Sequence, residues 1–196
     1  MKKIMTILGI AILALTLSFT SANKKIVVID AGHGGKDYGL NKDGVSEKEI
    51  AMNIANKIKT LNTNSDLEII LTRDTDKFLT LEDRVAFINS LNPDAVISLH
   101  VNSAPIKTKS GFGFFVCNEN EVKIQSNALA SKIQKAFQQK YTSNEVAYRN
   151  IFLLKNVNSP ATLIELGYLS NENDRKLLLS EKGQSEIAAI LYKALK

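Results

Sequence analysis

The chain has 196 residues, 44% of them hydrophobic and 23% charged, with a formal net charge of +5 and a single cysteine. That length suits one domain with a substantial core, and the composition is ordinary for a soluble globular protein and says little more about class. The positive charge is too weak, and too free of basic tracts with interleaved aromatics, to indicate a nucleic-acid partner.

Lys2 and Lys3 precede an apolar run over residues 4–19, and Thr20-Ser21-Ala22 follow it. A positive start, an apolar middle and a small-residue exit make a secretory signal peptide. Residues 1–22 are therefore expected to be removed, leaving residues 23–196 as the working domain, exported to the periplasm or cell envelope or secreted. A retained membrane anchor is the alternative, although the run lies near the short limit for a spanning helix. No cysteine directly follows the run, which argues against a lipoprotein anchor. Loss of Lys2 and Lys3 leaves a mildly basic domain suited to a polyanionic surface such as a bacterial envelope. Cys117 has no partner for an internal disulfide and ends the apolar run 112–117, where a buried, inert thiol is expected.

The elements follow from the pattern of apolar residues. Ile26-Val27-Val28-Ile29 runs into Asp30-Ala31-Gly32-His33-Gly34-Gly35. A short apolar run bounded by glycines reads as a strand buried on both faces of a parallel sheet, and ligands collect at the carboxyl ends of such strands. Ser46, with Glu49 three positions on, predicts a capping box for a helix whose apolar stripe is Ile50, Ile54, Ile58 and Leu61. Residues 67–71 form the second strand. Thr80 caps a helix over residues 81–91, which Asn92-Pro93 ends. Residues 95–99 make a third buried strand that delivers His100-Val101-Asn102. A fourth strand follows over 111–117, then an amphipathic helix over 121–140 carrying Ile124, Leu129, Ile133 and Phe137. A weaker strand is expected over 151–154. The last clear strand, 161–164, ends in Glu165-Leu166-Gly167, and helices over 172–180 and 183–195 close the chain. This alternation predicts an α/β three-layer sandwich, a mainly parallel twisted sheet of about six strands flanked by helices.

The two histidines, His33 and His100, each follow a buried strand, and those strands should be sheet neighbours. Imidazole is the commonest neutral metal ligand, and a hydrolytic zinc site takes three protein ligands with one position open to water. The third must reach the same edge. In a right-handed βαβ unit the start of the helix lies beside the end of the preceding strand, which favours Glu47 in the first helical turn. A simple helix-start role for Glu47 stays open; Glu49 is a rival committed to the cap. Glu165, a lone carboxylate at the end of an apolar strand, faces either a cleft, where it could serve as acid and base, or a buried arginine such as Arg73 or Arg84.

Taken together, Ile29-Asp30-Ala31-Gly32-His33-Gly34-Gly35, Ser46-Glu47-Lys48, Leu71-Thr72-Arg73, Ser98-Leu99-His100-Val101-Asn102-Ser103-Ala104 and Leu163-Ile164-Glu165-Leu166-Gly167-Tyr168-Leu169-Ser170-Asn171 resemble the ordered motifs of the zinc-dependent N-acetylmuramoyl-L-alanine amidases of the amidase-3 type, which are bacterial cell-wall enzymes. The resemblance spans residue 25 to the carboxyl terminus. It implies one zinc ion (Zn2+) per chain on His33, Glu47 and His100, with Glu165 as the catalytic carboxylate. The implied substrate is the amide joining the lactyl group of N-acetylmuramic acid to L-alanine in peptidoglycan. Asn102 is a motif position expected to touch substrate or order its loop. Asp30 is a candidate to orient a ligating histidine, with an ordinary strand-end role as the alternative, and Arg73 and Arg84 are expected to be structural.

The sequence also departs from the family pattern. Leu40 stands where alanine is frequent, and Gly113 where glutamate is common. The segment 117–122 is too short for the occluding helix found in some relatives, so self-inhibition of that kind is not expected. Peptidoglycan is the expected partner, with no stable membrane insertion after export and a monomeric state. Three readings compete: an envelope zinc peptidase acting within the stem peptide, a non-catalytic wall-binding relative, and a nucleotide-binding domain. The glycine-rich loop lacks the spacing and lysine that phosphate binding requires, which ranks the last reading lowest.

Overall fold

The computed structural model describes residues 24–196, so the expected export signal lies outside the described residues. Its elements are β1 (Lys25–Ala31), β2 (Asn41–Lys42), β3 (Val45–Ser46), α1 (Glu47–Leu61), β4 (Leu67–Leu71), α2 (Leu81–Leu91), β5 (Ala95–Asn102), β6 (Phe112–Val116), α3 (Lys123–Gln138), β7 (Ser143–Tyr148), α4 (Phe152–Asn156), β8 (Ala161–Tyr168), α5 (Glu172–Leu179) and α6 (Glu181–Leu195). Six strands form one sheet in the order β4-β1-β5-β8-β6-β7. The first four run parallel, β6 pairs antiparallel with β8, and β7 follows β6 in parallel. Strands β2 and β3 make a separate two-stranded hairpin.

Helices cover both faces, which completes the three-layer sandwich. Ile50, Ile54 and Ile58 of α1, Ile133 and Phe137 of α3, and Ile187 and Leu191 of α6 pack with Val27, Ile29, Ile97, Leu99 and Ile164. The other face seats Ile88 of α2 and Leu153 and Leu154 of α4 against Val28, Val96, Ala161 and Leu163. Residues 27, 28 and 29 alternate between these two clusters, as a strand buried on both sides must. Ile29, Ile54, Ile58, Ile97 and Ile164 are fully buried, each worth roughly 1.5–3 kcal/mol relative to exposure.

Several local expectations need correction. Ser46 precedes α1, but its side chain makes no cap hydrogen bond. The first amides of α1 are satisfied by backbone instead: Glu47 N–H donates to the Leu40 carbonyl at 2.8 Å and Lys48 N–H to that of Tyr38 at 3.3 Å. Residues 151–154 do not form a strand. Leu153 and Leu154 are buried in the short helix α4, whose carboxyl end is plugged by Asn120, its Nδ2 donating to the carbonyls of Leu154 and Val157 at 2.8 Å each. The sixth strand is β7, at the edge of the sheet, with no fully buried residue. Ile124 belongs to no core stripe and is 76% exposed, whereas α3 turns Ser126, Ala130, Ile133, Gln134 and Phe137 inward. Helix α2 does begin in a full capping box between Thr80 and Asp83, and Asn92 ends it in the left-handed conformation. The connection from β6 to α3 is residues 117–122 and holds no helix.

Asp30 is buried inside the fold. Its carboxylate accepts from Thr72 Oγ1 and Ser98 Oγ at 2.7 Å each and pairs with Arg84 Nη1 at 2.6 Å. Burial alone would raise its pKa, but the Arg84 guanidinium and the two hydroxyls outweigh that and hold it below the ordinary value of 3.8. The resulting stabilisation is complete above 3.8 and is lost as pH falls through the lower folded value. Asp30→Ala strands a buried guanidinium and is expected to cost about 3–5 kcal/mol. Urea unfolding at neutral pH measures this, and a loss below about 1 kcal/mol, the range of exposed pairs, would contradict it.

Candidate metal centre

The loop after β1 is held by its backbone. Gly32 N–H donates to the Leu99 carbonyl at 3.1 Å, extending the ladder one step beyond the strand. Arg73 donates to the carbonyls of Ala31 at 3.0 Å and Gly32 at 2.9 Å. Arg84 donates to the carbonyl of Ala31 at 2.9 Å and to that of His33. Three consecutive carbonyls are thus fixed by two arginines, and neither arginine pairs with Glu165. Within that frame His33 adopts a left-handed backbone with φ of 59°, which costs about 1–3 kcal/mol and turns the imidazole back over the sheet edge.

His33, Glu47 and His100 meet there. Their ligand atoms all lie within 4.8 Å of one another, and the two imidazoles stand nearly perpendicular with centroids 4.9 Å apart. Glu47 Oε1 is 3.1 Å from His33 Nε2 and 2.9 Å from His100 Nδ1. The same oxygen accepts from Val101 N–H at 2.9 Å, and Oε2 accepts from Leu40 N–H at 2.9 Å. Glu47 is buried while Glu49 is exposed, so the first of the two candidates reaches the edge. Burial would raise the Glu47 pKa, but hydrogen bonds from His100 and His33 dominate and keep the carboxylate ionised.

Two glycines make this approach possible. A Cβ on Gly32 would lie 2.5 Å from the His100 ring, and one on Gly39, whose φ is 62°, would lie 2.5 Å from Glu47 Oε2 and 2.6 Å from His33.

Asp37, which sequence reasoning passed over, holds His33 from behind. Its Oδ2 is 2.9 Å from Nδ1, and Oδ1 accepts from Gly39 N–H at 3.0 Å. A carboxylate only accepts, so the Nδ1 proton faces Asp37 and Nε2 faces Glu47. Burial lowers the His33 pKa, yet Glu47 and Asp37 together raise it to about 9. Asp30 does not orient either histidine. Its oxygens are taken by Arg84, Thr72 and Ser98, because Asp30 lies in register with Ser98, one alternation below the rim. The available clue to Asp37 was its position four residues after His33 in a polar loop.

Glu165 is the register partner of His100 on the neighbouring strand β8, so both side chains leave the same face of the sheet. Its Oε2 is buried without a hydrogen-bond partner among the described residues. Burial raises its pKa and Glu47 adds to the rise, against the opposing pull of His100, Arg149 and His33. Asn102 lies at the end of β5, half-buried, and its Oδ1 accepts from Ser103 N–H at 2.8 Å. A cleft of about 280 Å³ opens beside the histidines, lined among others by Phe78, Leu81, Ile151 and Leu163.

Two imidazoles and one ionised carboxylate converging on one point are a suitable donor set for a divalent metal ion. Comparison with known proteins gives this arrangement a family. Residues 27–196 match the model described as N-acetylmuramoyl-L-alanine amidase. The chain belongs to that family. The germination-specific N-acetylmuramoyl-L-alanine amidase of Bacillus subtilis (strain 168) is 28% identical over 190 residues, covering 87% of this chain and 78% of that protein. The solved catalytic domain of CwlV, an N-acetylmuramoyl-L-alanine amidase from Bacillus (Paenibacillus) polymyxa var. colistinus, is 32% identical with a TM-score of 0.80, covering 87% of this chain and 95% of that one. The CwlD amidase of Clostridioides difficile, solved in complex with the GerS lipoprotein, is 34% identical with the same TM-score, at 87% and 96% coverage. The activity of the family, cleavage of the N-acetylmuramoyl–L-alanine amide of peptidoglycan, is therefore the activity of this amidase. No helix among the described residues is long and apolar enough to cross a membrane.

Proposed function

We propose that the amidase holds one zinc ion on His33, Glu47 and His100 and that Glu165 is its acid–base group. The observation that carries this is the meeting of three donor atoms within 4.8 Å beside a buried, unpartnered carboxylate oxygen. A bound zinc ion supplies Lewis acidity, lowering the pKa of water towards ~7 and polarising the scissile carbonyl.

The chain's own residues supply the rest. Asp37 keeps the His33 proton on Nδ1 and so leaves Nε2 as the donor. Glu47 is ionised by its four hydrogen-bond partners and partly neutralises the charge of the ion. Glu165 accepts a proton from the attacking water at its carboxylate. It then returns that proton to the departing L-alanine nitrogen. In the metal-free protein burial holds its pKa above the ordinary value, the direction that favours taking up the proton.

Residues 1–22 serve as an export signal and residues 23–196 as the catalytic domain, acting as a monomer on peptidoglycan outside the cytoplasm. Support comes from Lys2-Lys3 ahead of the apolar run and from cell-wall substrates in the names of relatives such as the B. subtilis amidase. The test combines metal analysis of the purified protein with mass spectrometry of digested sacculi. One zinc per chain, intact stem peptides and peptide-free glycan are expected; cuts inside the stem peptide would establish a peptidase instead.

A further inference from the structure

One cation near the cleft makes no ion pair among the described residues. Arg149 follows β7, and its backbone N–H donates to the Val116 carbonyl at 2.9 Å. Its guanidinium carbon lies 4.5 Å from the centroid of the Phe115 ring. Arg84 and Arg175 each pair with a carboxylate, Asp30 and Asp43. Among the described residues Arg149 pairs with none.

The ring beneath it leads directly to the reacting end of the site. Gly113 and Glu165 are register partners on β6 and β8. A Cβ on Gly113 would lie 3.1 Å from Phe115 Cε2 and 3.4 Å from Glu165 Cβ, so the far edge of the Phe115 ring and the Glu165 stem crowd the same spot. Phe115 and Gly113, two apart on β6, share that face. Arg149 is near enough for its charge to act on Glu165, and Ile151, two residues on, lines the cleft. An exposed guanidinium stacked on an aromatic ring keeps its planar donor edge free for a carboxylate.

We infer that Arg149 is a specificity-determining residue that binds a free carboxylate of the stem peptide next to the scissile amide. The assignment rests on the proposed reading of Glu165 and the three donors as the catalytic centre. The carboxylate it selects is an anion carried by the peptide side of the substrate. Amidation of that group would remove the charge while keeping its shape, so the enzyme distinguishes walls by amidation state. Gly113 contributes by leaving the strip between Glu165 and Phe115 free of a competing side chain.

The test uses N-acetylmuramoyl pentapeptides whose second residue carries either a free α-carboxylate (D-glutamic acid) or its amide (D-isoglutamine). The zinc-loaded wild type is expected to prefer the free acid by about tenfold in kcat/KM, the size of one charge-assisted contact in a wet site. Arg149→Gln is expected to bring the ratio to about one through KM on the acid substrate, and Arg149→Lys to restore part of it. A ratio unmoved by Arg149→Gln would overturn the assignment alone. Turnover retained by Glu165→Gln, run alongside, would overturn the site reading and the assignment with it.

Discussion

Replacing Glu165 with glutamine is expected to cut turnover by ~10²–10⁴-fold, the share that acid–base groups supply, while metal content stays at the wild-type level. Two features make this substitution informative. Glutamine keeps the shape of the side chain but removes its basicity. The wild-type carboxylate is also held against its own environment: burial raises its pKa and Oε2 lacks a partner among the described residues. Neutralising it should therefore leave stability unchanged or improved, as is common for groups retained for chemistry. Activity falling while the urea midpoint holds or rises identifies a catalytic role. A coincident loss of stability would mark Glu165 as structural.

His33→Ala is expected to abolish stoichiometric zinc and turnover together, with an affinity loss beyond the roughly 10–100-fold typical of residues that merely support a ligand. Stability should suffer little, since of the two partners left behind Asp37 has a side chain 46% exposed and Glu47 keeps its bonds to His100, Val101 and Leu40. The same residue sets the pH dependence of loading. In the metal-free protein the His33 pKa is raised from 6.5 to about 9. Its protonation stabilises that form fully below 6.5, and the stabilisation is lost as pH rises through about 9. Zinc must displace this proton, so apparent affinity should climb by up to about tenfold per pH unit towards that value. Calorimetry in buffers of different ionisation enthalpy would show about one proton released at neutral pH. No proton release would contradict His33 as a ligand.

Much of the architecture was legible because burial leaves a mark. The runs of β1, β5 and β8 are apolar on both faces, whereas β4 exposes Glu68, and the residues that end β1, β5 and β8 identify the chemical rim of the sheet. Helix α2 was readable from Thr80 and Asn92 for the same local reasons that hold it in place. Glu47 was readable as the residue that could reach the histidines because right-handed βαβ connection dictates where a helix begins. The remainder depends on tertiary partners. Strand β7 is polar and half-exposed, so it carries no alternation to detect. Helix α4 is five residues long and shares its adjacent leucines with a strand pattern. Ser46 promised a cap, yet its side chain makes no cap hydrogen bond, and the first two helical amides go to the backbone carbonyls of residues 40 and 38. Asp30 stood three positions before His33, but strand alternation turned it inward onto Arg84. The support for His33 came instead from Asp37, across a turn that only coordinates reveal.

The two arginines that grip the carbonyls of residues 31–33 bear on how the amidase acquires its ion. Guanidinium-to-carbonyl bonds of this kind form with or without a metal, so the receptacle is assembled by the polypeptide itself. Loading is then an ordinary binding equilibrium, uncoupled from chain collapse, unlike small domains that are unfolded until zinc arrives. A protein stripped by chelator should remain compact and recover activity by simple re-addition of the ion.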